Sequence, residues 1–205
     1  MFNTLALISV LVVIVMLKTI VSIIPSVMAC VVWWKENINI ESSVKLGRNR
    51  DISAIAMIIP FCLTIFRFRL YNPSFVANLP DNARLWSLIG IFAIYAIIRY
   101  AACRLARPQR MPAKTYTAAN KAAYTFFILL TLVLLTFGGI ASFAGMAPET
   151  IRGVMTWLSC FVYGLYLLRK LQIFASSCSI FVAFLYLCAL EILPTGILVV
   201  SSTIF

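Results

Sequence analysis

Six apolar runs separated by short polar gaps organise this chain. The first extends from Thr4 to Trp34 and is interrupted only by Lys18 and Pro25. At about 1.5 Å rise per residue, it is longer than the roughly 30 Å core of a bilayer but too short for two crossings. One crossing over about residues 4–24 is expected. Pro25 then bends the chain, and the remainder leaves along the interface toward Trp33, Trp34 and Lys35, since paired tryptophans favour the headgroup level.

Five further runs follow: Ile52–Phe66, Leu85–Ile98, Ala122–Phe143, Val154–Leu168 and Ser179–Val200. With their flanks they predict spans at about 52–68, 85–102, 122–143, 152–168 and 178–201. The shorter runs extend a turn outward, where Arg and Lys stems can snorkel. The ten-residue alternation of an outer-membrane barrel is missing. No clear fixed-period repeat and no domain-length linker interrupts the pattern. The expected fold is an all-α integral membrane protein, a single polytopic bundle of about six transmembrane helices with an N-terminal interfacial segment.

Composition strengthens this reading. Hydrophobic residues make up 63% of the 205 positions and charged residues 11%, with a mean hydropathy of +1.02. A soluble domain carries roughly 45–50% apolar and about 25% charged residues, so lipid must solvate most of this chain. The net charge of +11 comes from 17 Lys and Arg against 6 Asp and Glu. These bases sit in short gaps rather than on one face of a domain, which argues for membrane lipids as partners and against nucleic acid.

The distribution of bases also predicts orientation. The gaps at 33–51, 99–121 and 169–177 hold Lys35, Lys45, Arg48, Arg50, Arg99, Arg104, Arg107, Arg110, Lys114, Lys121, Arg169 and Lys170, whereas the opposite side holds Arg67, Arg69, Arg84 and Arg152. The positive-inside rule places the first set in the cytoplasm and both termini outside, in the periplasm of a bacterium. No positive charge precedes Lys18, and Val27-Met28-Ala29-Cys30 is only a weak likeness of a lipoprotein box, so a retained first helix is expected rather than a cleaved signal peptide.

Chemistry-bearing groups are sparse. There is no histidine, and Cys30, Cys62, Cys103, Cys160, Cys178 and Cys188 show no two-residue spacing; they read as small apolar residues, with no metal and no cofactor implied. No acid pair, phosphate loop or aspartate-rich motif is present, and Asp51 and Asp81 are read as helix-start residues. No catalytic residue is expected, and the chain is not read as an enzyme.

Glu191 is the most informative position, lying well inside the last apolar run. A carboxylate at that depth costs several kcal/mol, of the order found for charges at a helix centre, unless it is paired, neutralised or hydrated. A structural pair is favoured over a proton relay, because a relay needs a chain of titratable groups. Lys18, Arg99, Tyr95 and Tyr186 are the candidate partners, and Lys18 either pairs with Glu191 or reaches the cytoplasmic interface. Pro194 frees the carbonyl of Leu190 from its helical bond. Gly138, Gly139, Ala141, Gly145, Cys160 and Gly164 form small-residue surfaces suited to close helix packing. Arg104, Arg107, Arg110 and Lys114 form a basic, proline-stiffened segment for lipid headgroups or a cytoplasmic surface.

The closing stretch, from Phe181 through Leu187-Cys188-Ala189-Leu190-Glu191-Ile192-Leu193-Pro194, resembles the signature of an uncharacterised polytopic inner-membrane family of Bacteroidetes, domain of unknown function 4271. The plan of a leading helix, an interfacial segment and a polar stretch at Trp34-Lys35-Glu36-Asn37 is also similar, although the interfacial segment is more apolar here. The resemblance implies a bacterial inner (cytoplasmic) membrane location and makes Glu191 and Pro194 part of the family signature. It implies no activity. The expected role is a non-enzymatic subunit or accessory protein of a cell-envelope complex, of the kind that exports proteins or lipid-linked glycans, with other integral membrane proteins as partners. The alternative is a small transporter or lipid flippase using a mid-membrane site of Glu191 and Lys18.

Overall fold

The structure, a computed structural model, describes residues 2–73, 76, 78–105 and 111–204. Its helices are α1 (Phe2–Val32), α2 (Trp34–Ser42), α3 (Val44–Ala56), α4 (Ile58–Phe68), α5 (Asp81–Leu105), α6 (Ala113–Phe143), α7 (Pro148–Ala175), α8 (Ile180–Leu187) and α9 (Leu193–Ile204), with a π-helical turn, Cys188–Ile192, joining the last two. Among the described residues, six stretches are long and apolar enough to cross a bilayer: Ser9–Val32, Val44–Phe68, Asn82–Leu105, Ala113–Phe143, Pro148–Ala175 and Ile180–Ser201. The all-α bundle expected from the hydrophobic pattern is the architecture observed.

The N-terminal third differs from expectation in two ways. α1 continues as helix through Pro25 to Val32, instead of breaking at the proline. Proline removes one helical bond, but in lipid the neighbouring backbone groups have no water to turn to, so the helix continues. The break falls at Trp33, whose backbone is extended (φ −124°, ψ 113°). Residues 33–51 are then no loop. They form α2 and half of α3, joined at the extended Ser43, whose Oγ accepts from the Leu46 N–H at 3.5 Å and so caps α3.

The helical stretch long and apolar enough for the second crossing is therefore Val44–Phe68. Its two pieces meet at Met57, beside the Ala56 carbonyl that Pro60 cannot serve.

The remaining helices are set by sharp ends. α6 terminates where Gly145 takes a left-handed backbone (φ 66°) and the Met146 N–H returns to the Ala141 carbonyl at 3.2 Å, a glycine-dependent C-terminal motif. Pro148 then opens α7 in the first turn, where its missing N–H costs nothing. This short reversal makes α6 and α7 antiparallel neighbours. They share a core of Ala119, Ala122 and Phe126 against Val162, Tyr166 and Ile173, continued by Leu134 and Ala141 against Ile151 and Met155.

Candidate functional site

Three helices carry polar side chains at helical spacing, and the fold brings them to one place. On α5 these are Tyr95 and Arg99, four apart. On α7 they are Tyr163, Tyr166 and Lys170, at separations of three and four, the spacing that aligns side chains along one face. The last crossing contributes Tyr186, Glu191 and Thr195. Tyr186 and Glu191 are five apart and would diverge on a regular helix. The π-helical turn that begins after Leu187 and contains Glu191 widens the helix by one residue and re-phases it by roughly 100°, so both face the bundle.

Glu191 is 1% exposed and fully engaged. Arg99 donates from Nε to Oε2 at 2.9 Å and from Nη2 to Oε1 at 2.8 Å, a two-point charge-assisted pair. Lys170, whose side chain is 0% exposed, donates from Nζ to the same Oε1. Lys170 also donates to Asn120 Oδ1 at 3.2 Å and to the Tyr166 hydroxyl at 3.4 Å, and Arg99 Nη2 donates to that hydroxyl at 2.8 Å. The carbonyl of Glu191, within the π-helical turn, accepts from the Tyr163 hydroxyl at 3.0 Å.

Polar contacts continue on both sides of this centre. Tyr95 and Thr195 share a hydroxyl–hydroxyl bond at 2.8 Å, and Tyr71 and Ser201 share one at 2.7 Å. In the other direction Tyr186 meets Tyr116 at 2.7 Å, and Tyr116 donates to the Cys103 carbonyl. The last crossing is thus stitched to α5, α6 and α7 by hydrogen bonds that water cannot replace in lipid, where an unpaired polar group is costly.

A second network lies at the same end of the bundle, one residue along α6 from Asn120. Arg50 is buried and donates to Glu41 at 2.8 Å and to Asp51 at 2.8 and 3.0 Å, while Lys121 pairs with Glu41 at 3.1 Å and Asp51 at 3.0 Å. Two bases meet two acids, tying α2 and α3 to α6. Asp51 is accordingly a mid-helix ion-pair partner and not the helix-start residue expected from sequence, whereas Asp81 does begin α5. Nearby α7 supports the end of α1, because Arg169 donates to the Val31 carbonyl from Nε at 2.9 Å and from Nη2 at 2.7 Å, a favourable site for a cation at a helix C-terminus.

The structure brings together Glu191, Arg99, Tyr95, Tyr186 and Pro194, the last in the first turn of α9. Arg99 is the direct partner of Glu191, while Tyr95 bonds to Thr195 and Tyr186 to Tyr116. Lys18 does not belong to the cluster. It is exposed on α1, and the bases paired with Glu191 are Arg99 and Lys170. The small residues also divide. Gly138 is a close-packing position, where a Cβ would lie 2.6 Å from Met155 Cε and 2.8 Å from Phe68 Cε2, and Ala141 is buried. Gly139 and Gly164 have open space around a Cβ position, Cys160 is exposed, and Gly145 serves the turn. Arg104 and Lys114 are exposed; Arg107 and Arg110 lie outside the described residues.

Lys170, Tyr166, Tyr163 and Asn120 were not singled out by the sequence. Arg169-Lys170 reads as a boundary pair, and Lys121 as one of the bases of the gap at 99–121. One signal was available: Tyr163, Tyr166 and Lys170 recur at helical spacing on what becomes one face of α7, whereas Arg169 points elsewhere.

Comparison with curated proteins and with solved structures finds no match. The family model described as a domain of unknown function, DUF4271, matches residues 3–200, nearly the whole chain and including the Glu191 centre. The chain therefore belongs to the DUF4271 family.

Proposed function

We propose that the chain is a non-enzymatic integral subunit of a bacterial cell-envelope membrane complex, held in the inner membrane with both termini periplasmic. The observation that carries this reading is the full engagement of Glu191 with bases from two other helices. Glu191 spends its carboxylate on Arg99 and Lys170, so the intramembrane charges bind helices to one another. A flippase site built from Glu191 and Lys18 loses its motivation, since Lys18 is elsewhere.

Outward-facing small residues support a packing role. Gly139 on α6 and Gly164 on α7 have no atom within 4 Å of a Cβ position, and such surfaces let a helix of another protein approach closely.

The test is purification of the tagged full chain in mild detergent. Integral proteins should co-purify in fixed stoichiometry, and Gly139→Leu or Gly164→Leu should release them without lowering the stability of the chain itself. A lone monomer under all mild conditions would sink the proposal. Orientation is checked separately by reporters fused at the C-terminus, which should be active only as periplasmic fusions.

A further inference from the structure

We propose that the Arg99–Lys170–Glu191 centre binds an oxyanion of the phosphate class, as carried by an anionic lipid headgroup, at the outer edge of Arg99. With Lys170 protonated, the charge count calls for a counter-charge. Among the described residues, Glu191 is the one carboxylate paired with either base; Tyr166, Tyr163 and Asn120 complete the contacts as neutral groups. Two cations against one anion leave a net +1 inside the bundle. An uncompensated charge in a low-dielectric interior is strongly unfavourable.

Geometry locates the opening. Lys170 is sealed at 0% exposure, while the Arg99 side chain keeps 18%. Its Nε and Nη2 point inward to Glu191 and Tyr166, and Nη1 takes none of these bonds. The flanking Ile98 and Tyr100 are well exposed on the outer face of α5. With 25 residues, α5 is about 37 Å long against a core of roughly 30 Å, long enough for its end to reach the headgroup layer. Arg99 lies six residues, about 9 Å, from that end, close enough for a phosphate oxygen to meet a guanidinium edge. Arginine is well suited to that contact, being planar, permanently charged and weakly hydrated. The inference stands independently of the subunit reading.

The experiment measures thermal unfolding of the purified full chain in a neutral detergent while adding short-chain phosphatidylglycerol, short-chain phosphatidylcholine or inorganic phosphate. Phosphatidylglycerol should raise the unfolding temperature well beyond phosphatidylcholine. Lys170→Met, which leaves a neutral Arg99–Glu191 pair, should abolish that extra shift. Glu191→Gln raises the excess to +2 and should enlarge the shift, which keeps the test informative if either variant starts from lower stability. Arg67→Gln with Arg152→Gln, exposed bases away from the centre, should leave it in place. If inorganic phosphate reproduces the Lys170-dependent shift, the site takes a free oxyanion; if only the lipid does, it takes a headgroup, and both results support the proposal. A wild-type chain that ignores every anion overturns it, as an unprotonated Lys170 would produce. So does a Lys170→Met chain that responds like wild type, because surface bases would then be responsible.

Discussion

Arg99 holds Glu191 through two hydrogen bonds, 2.9 Å from Nε and 2.8 Å from Nη2, across 92 positions of sequence. The pair joins α5 to the π-helical turn of the last crossing, and Lys170 of α7 closes on the same carboxylate. Three crossings thereby meet at one acid. In lipid there is little hydrophobic drive between helices, so this junction selects which faces of the three helices meet.

Removing the acid should therefore be far worse than removing one base. Glu191→Leu strands the sealed Lys170 and the half-buried Arg99 and should cost about 3–5 kcal/mol, read as a large fall in unfolding temperature in detergent. Lys170→Met leaves a neutral, bonded Arg99–Glu191 pair and should fold with near wild-type stability. Equal losses in the two variants would refute the junction described.

The hydroxyl pairs should behave as coupled units. Tyr95→Phe and Thr195→Val each break the 2.8 Å bond and should each cost about 0.5–1.5 kcal/mol. The double variant should cost little more than either alone, because the second change removes a partner already stranded. Strict additivity in a double-mutant cycle would show that the bond contributes nothing.

Adjacent glycines on α6 should respond in opposite ways. Gly138→Leu drives a side chain into Met155 and Phe68 and should destabilise by at least about 1–3 kcal/mol, the usual range for overpacking. Gly139→Leu points into open space and should leave the unfolding temperature of the isolated chain unchanged. The same two variants separate core packing from partner binding, since only the second should weaken co-purification while sparing the fold.

In the second network, burial decides the outcome. Arg50 is 0% exposed, whereas Lys121 is 32% exposed. Arg50→Met should cost about 3–5 kcal/mol by leaving Glu41 and Asp51 short of a buried partner. Lys121→Met breaks partly solvated pairs and should cost no more than about 1 kcal/mol. Chemical or thermal unfolding of the two variants side by side checks the contrast.

The sequence by itself determined the membrane character, the all-helical class and the presence of about six apolar stretches long enough to cross a bilayer, because each follows from local composition: a run of apolar residues about a bilayer long has one stable backbone conformation in lipid. It also marked Glu191, since an acid in such a run is conspicuous whatever surrounds it, and it included Arg99 among the partners. What it could not determine was which partner is taken. Lys18 was a candidate partner because it interrupts the longest apolar stretch, yet it lies exposed on α1, while Lys170 looked like an ordinary boundary base and is sealed against Glu191. Residues 33–51 read as a solvated loop for a related reason: their charges are satisfied by one another and by Lys121 of α6, contacts that exist only once the helices have met. Only the tertiary structure decided these points, because pairing energy depends on distance and burial between groups far apart in sequence, and neither can be read from the identity of a residue or its immediate neighbours.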